Sequence, residues 1–150
     1  MNAQVVAFSI HLGHSIKFIV QNIFTATWFQ PTTSTPPDYT LLNHKMAQLV
    51  DWYNIEAHKL HPIERAAKVH ADFVGIHPFI DGNGRTSRLL MNLELLKAGY
   101  PPCVITVESR LAYYEALDQW MAYGKTDAFI HLVSDAVLEG FKPYQVVLGL

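Results

Sequence analysis

Prolines and glycines cut this chain into helix-length windows. After Pro36-Pro37, the breakers Pro62, Gly75, Gly99 with Pro101-Pro102, and Gly140 bound segments whose apolar residues recur at helical spacing. QPTTSTPPDY, 30 to 39, is itself a loop or edge strand, because two successive prolines remove two backbone donors. Asp38 or Thr40 is the expected cap of a first helix reaching about Asn54, with Leu42, Met46, Leu49, Val50 and Tyr53 on its apolar face. Pro62 suits the first turn of a second helix, running to about Val74 and ended by Gly75. A third helix spans about Gly84 to Ala98, with Leu89, Leu90, Leu93 and Leu96 as its stripe and Gly99 as its stop. Two more lie near 107–123 and 127–139, the latter capped by Thr126 or Asp127 and ended by Gly140. The expectation is a mainly α domain over 31–150, with a short β-hairpin around the proline-rich segment. Residues 1–30 are apolar without a sustained period, show no strands, and form a poorly defined N-terminal segment.

Composition narrows the function classes. In 150 residues, half apolar and 16% charged, there is enough for one globular core. A net charge of −2 argues against nucleic acid as a partner. The single cysteine, Cys103, excludes an intrachain disulfide and a cysteine-based zinc site. VVAFSIHLGHSIKFIV near the N-terminus is broken by two histidines, a glycine and a lysine, so neither a membrane span nor a secretory leader is expected. A soluble, cytoplasmic protein is the expectation.

Against that sparse charge, HPFIDGNGRTSR, residues 77 to 88, stands out. Glycines reach positive φ at little cost, so Gly82-Asn83-Gly84 can curl its amides towards one point. A helix starts there, and its first amides lack internal partners, which makes an anion seat. Arg85 and Arg88, three residues apart, lie on nearly one face and suit a polyanion such as a triphosphate. Asp81 is placed to hold Mg²⁺, which takes one or two carboxylates plus phosphate oxygens. His77 supplies an imidazole, the usual group for taking a proton from an attacking hydroxyl. Phe79 would anchor the loop in the core. Glycine with asparagine is also ordinary turn composition, and two arginines on a helix are ordinarily a solvated face. From the residues alone, both readings stand.

The stretch resembles the signature of the Fic-domain family, His-x-Phe-x-(Asp/Glu)-Gly-Asn-Gly-Arg-x-x-Arg, with every fixed position filled. The resemblance runs back through LHPIERAAKVHADFVGIH and on into RLLMNLELLKAGYPP, covering about 36–140. It implies a helical bundle with a hairpin flap, and an enzyme that transfers AMP from ATP to a Ser, Thr or Tyr hydroxyl of a target protein. By position, His77 would be the base and Asp81 the Mg²⁺ ligand. Gly82, Asn83 and Gly84 would form the nest, Arg85 with Thr86 and Ser87 would line the phosphates, and Arg88 would meet the γ-phosphate. Tyr113 and Tyr114 match a position beside the adenine, and Thr33, Ser34 and Thr35 match the flap that docks the target.

The kinase-like branch resembling Doc has lysine where this chain has Gly84, which favours nucleotidyl transfer. UMP or phosphocholine donors share the signature, and a catalytically silent Fic scaffold is the rival reading. The family's inhibitory string, (Ser/Thr)-x-x-x-Glu-(Gly/Asn), does not occur. VSDAVLEG comes nearest, with Asp135 four residues before Glu139. The resemblance therefore implies either an antitoxin-like inhibitory partner or an unregulated form, and no removal of AMP. It is also compatible with a homo-oligomer. Met121 stands near a position where relatives place a polar adenine contact.

Overall fold

A computed structural model describes residues 8–12, 14–18 and 39–149. Two short strands, β1 (Phe8–Leu12) and β2 (His14–Phe18), pair antiparallel with Phe8 opposite Phe18 and Ile10 opposite Ile16. The expectation that residues 1–30 hold no strands is thus corrected. FSIHL alternates apolar and polar residues, HSIKF does so only from Ser15, and the two runs are short enough to escape notice beside longer helical windows. The hairpin expected around the proline-rich segment lies outside the described residues, as do Thr33, Ser34 and Thr35.

Five helices follow: α1 (Leu42–Ile55), α2 (Pro62–Ile76), α3 (Asn83–Lys97), α4 (Arg110–Tyr123) and α5 (Asp127–Leu148). The mainly α expectation holds. A 3-10 turn at Tyr39–Leu41 leads into α1, so Leu41, with no capping side chain, takes the place expected of Asp38 or Thr40. The entry to α2 is better built. His61 accepts from the Ile63 amide and Glu64 reaches back to the His61 amide, a reciprocal cap, with Pro62 at the first helical position.

Two glycines do not end their helices. Gly75 lies inside α2, where a Cβ would stand 3.3 Å from the Met121 sulfur. Gly140 lies inside α5, where a Cβ would stand 3.2 Å from the Pro101 ring and 3.3 Å from the Pro102 carbonyl. Both are sites of close approach, and α5 continues to Leu148 through Pro143.

The core sits where α2, α3, α4 and α5 meet. Ala66, Ala67 and Ala71 give α2 a small-residue face, against which Met91, Leu95, Phe129, Val133 and Val137 are fully or almost fully buried. Buried polar groups are mostly paired. Glu94, 3% exposed, receives Tyr53 Oη at 2.7 Å, Arg65 Nε at 2.8 Å and Lys97 Nζ at 2.9 Å, tying α1, α2 and α3 together. Burial alone would raise its pKa, but these hydrogen bonds and the charges of Lys97 and Arg65 hold it below the ordinary carboxylate value. Asn92 clasps the loop after α3, accepting from the Cys103 amide at 2.7 Å and donating to its carbonyl at 3.2 Å. No helix among the described residues is long and apolar enough to cross a membrane.

His70, fully buried in α2, stacks on Phe129 at 5.2 Å and pairs its Nε2 with the Tyr113 hydroxyl at 2.9 Å. Burial disfavours the charged ring and lowers its pKa from 6.5 to about 4. Between those values the unfolded chain binds more protons than the folded one, so stability falls as pH drops. The loss across the window is roughly 3 kcal/mol. Melting temperature should therefore decline from pH 6.5 to 4, and in His70→Phe this slope should flatten. An unchanged slope would show that the decline comes from other groups.

Candidate active site

The loop between α2 and α3 begins with a conformational departure. His77 ends α2 at φ 56° and ψ 55°, the one non-glycine residue with positive φ among those described. Its amide still donates to the Phe73 carbonyl at 3.2 Å, so the helix closes on the residue that turns the chain away. Left-handed geometry costs an L-residue roughly 1–2 kcal/mol. It leaves the imidazole exposed at the helix end.

What holds the loop is Asn83, 3% exposed at the first position of α3. Its Oδ1 accepts from the Phe79 amide at 2.8 Å and its Nδ2 donates to the Phe79 carbonyl at 2.6 Å. One side chain thus satisfies both backbone groups of the loop's central residue. Phe79 in turn packs on Phe73, with ring centroids 5.7 Å apart, as expected of an anchor.

Gly82 takes the N-cap position at φ 88°, where a side chain would be strained, and its carbonyl accepts from the Thr86 amide at 2.8 Å. Lacking a side chain, Gly82 leaves the amides of Asn83, Gly84 and Arg85 without a side-chain cap at the positive end of a 15-residue helix. Asp81 binds the Gly82 amide through Oδ1 at 2.6 Å and the Arg85 guanidinium through Oδ2 at 3.0 Å. Both side chains are largely exposed, so this pair is held weakly. The Gly84 carbonyl accepts from Arg88 Nε at 2.8 Å and from the Ser87 hydroxyl at 3.2 Å. A Cβ on Gly84 would stand 3.9 Å from an Arg88 nitrogen, so that guanidinium lies back across the first turn.

The candidate residues fall into two sets. His77, Asp81, Arg85 and Arg88 are exposed around the start of α3. Asn83 and Ser87 point inward and shape the turn from beneath. Tyr113 is buried, with its hydroxyl on His70, and its ring meets that of Tyr114 edge-on at 5.0 Å. Tyr114 is half-buried, with the Arg110 guanidinium 5.6 Å over its ring. The sequence reading missed the clamping role of the Asn83 side chain. The signal was present in its spacing, four residues after an aromatic anchor.

Among the described residues, no three His, Cys, Asp or Glu side chains converge to hold a metal. An open groove of about 590 Å³ lies between α1, α2 and α4 and begins at Gly75-Ile76, just before His77. Trp52, Trp120 and Met121 line it beside a Lys68–Asp72 ion pair at 2.7 Å.

Known proteins resemble this chain in sequence and in fold. The model of the Fic/DOC family matches residues 15–95. Protein adenylyltransferase fic-1 of Caenorhabditis briggsae is 48% identical over 86 residues, 57% of this chain and 17% of that protein. Protein adenylyltransferase Fic of Drosophila willistoni is 46% identical over 101 residues, 67% of this chain and 20% of that protein. The chain therefore spans about a fifth or less of the curated relatives it matches. Among solved structures, Fic-1 from C. elegans superposes with a TM-score of 0.65 at 38% identity, covering 73% of this chain and 33% of that one. A Fic domain containing signaling protein from Bacteroides thetaiotaomicron gives 0.68 at 33% identity, covering 73% of this chain and 46% of that one.

Replacing Asn83 by Asp keeps an acceptor for the Phe79 amide but sets a carboxylate against the Phe79 carbonyl. The variant should lose roughly 1–3 kcal/mol in chemical denaturation. A midpoint equal to the parent's would show that the clamp does not hold the loop.

Proposed function

Because the chain belongs to the Fic/DOC family, we propose that it transfers AMP from ATP to a hydroxyl of a target protein, with His77 as general base. The observation that carries this is the exposed imidazole at the end of α2 beside the glycine-capped start of α3, with two arginines on that turn. The names of the relatives, protein adenylyltransferases, supply the reaction class.

In this reading the triphosphate lies against the amides of Asn83, Gly84 and Arg85. The Arg85 guanidinium turns from Asp81 to the phosphates, and Arg88 takes the γ-phosphate. His77 removes the proton from the target hydroxyl as its oxygen attacks the α-phosphorus. A new P–O bond forms, the bond to the β-phosphate oxygen breaks, and pyrophosphate leaves. Fixed amides and guanidiniums favour the charge that builds on the phosphoryl oxygens. Asp81 fits Mg²⁺, since one exposed carboxylate beside phosphate oxygens is a donor set that such a hard cation accepts. Once bound there, the ion would neutralise charge on the phosphate oxygens. Tyr114, on the exposed side of Tyr113, is the side chain proposed to stack on the base. Thr33, Ser34 and Thr35 are proposed to dock the target by backbone pairing.

Two substitutions test separate parts of this reading. His77→Ala should bind ATP like the parent while transfer of label from α-labelled ATP falls about 10²- to 10⁴-fold. Transfer at the parental rate would remove His77 from the chemistry. Arg88→Ala should weaken ATP binding about tenfold or more, and ADP binding much less, as expected for a lost charge-assisted contact. Equal losses for the two nucleotides would show that Arg88 does not meet the γ-phosphate.

A further inference from the structure

The mechanism makes no use of His70, yet this residue touches the elements that carry it. It lies on α2, seven residues before His77. Its Nε2 meets the Tyr113 hydroxyl at 2.9 Å on α4, and its ring stacks on Phe129 of α5 at 5.2 Å. The backbone of Ser87 on α3 lies within hydrogen-bonding reach of its ring. All three residues around it are buried, so the contacts are shielded from water.

From two of these contacts, Ser87 and Tyr113, one step leads to the phosphate seat or the base platform. The Ser87 hydroxyl binds the Gly84 carbonyl, and that carbonyl also holds Arg88 Nε. The Tyr113 ring backs Tyr114 edge-on at 5.0 Å. Neutral imidazole suits this place because it shares a hydrogen bond with the tyrosine hydroxyl while filling an aromatic slot. A phenylalanine would fill the slot but leave that hydroxyl unpaired.

We infer that His70 is a positioning residue: paired with Tyr113, it fixes the first turn of α3 against α2 and α4, and so holds Arg88 and Tyr114 in register without touching the nucleotide. This inference rests on the proposed nucleotide-binding reading, specifically on Arg88 meeting the γ-phosphate.

The test uses the 150-residue chain and four forms of it: parent, Arg88→Ala, Tyr113→Phe, and the His70→Phe/Tyr113→Phe double variant. Dissociation constants for ATP and ADP and the melting temperature are measured for each. The double variant leaves no polar atom of the pair behind, so its melting temperature should stay near the parent's. Its preference for ATP over ADP should nevertheless fall about tenfold, towards that of Arg88→Ala, because small displacements are costly at a preorganised site. A folded double variant with the parental preference would overturn the inference and leave the pair as core packing. An Arg88→Ala chain with the parental preference would overturn the γ-phosphate reading, and the positioning role with it. If the double variant does not fold, Tyr113→Phe, which removes one hydroxyl, is read by the same two outcomes.

Discussion

Two hydrogen bonds between the Asn83 side chain and the backbone of Phe79 hold the candidate site together. An asparagine amide is one of few side chains able to satisfy an N–H and a C=O of a single residue at once. With that residue pinned and its ring set against Phe73, the chain has little freedom between the end of α2 and the start of α3. His77 and Gly82, at the two ends of the pinned stretch, then take left-handed geometry. Asp81, Arg85 and Arg88 are left on the solvent side of the turn. Polar satisfaction inside thus fixes polar display outside.

The same device recurs at the other end of the helix. Asn92 binds both the amide and the carbonyl of Cys103, fastening the segment that follows α3. That segment carries Pro101 and Pro102, against which α5 closes at Gly140. The helix that presents the arginines is therefore tied to its neighbours by side-chain-to-backbone clasps near both ends. Glu94, gathering Tyr53, Arg65 and Lys97, adds a third tie towards α1. A helix fastened in this way is a rigid platform, which a preorganised site requires.

Much of this was legible in the residues. Helical spacing and Pro62 located α2, and the twelve residues from His77 marked the candidate site and suggested a chemistry for it. What escaped was whatever depends on partners distant in sequence. Gly75 and Gly140 look like helix ends because glycine commonly ends helices, but here each makes room for another element, Met121 or Pro101. Asn83 looks like part of a flexible turn because its partner, Phe79, is a backbone and not a motif. Tyr113 and Tyr114 are neighbours of one residue type, and only packing separates the buried ring from the half-buried one. Strands β1 and β2 were missed because short alternating runs carry little weight beside long helical windows.

The backbone at His77 bears on how this chain would respond to selection for robustness. Glycine or asparagine accepts left-handed geometry more readily than histidine. A search scored on heat resistance alone would therefore tend to replace the imidazole, removing the strain along with the group assigned to the chemistry. If His77 is the base proposed for it, the most durable version of the molecule and the most active one are different sequences. The residue at which they part is the left-handed cap that ends α2.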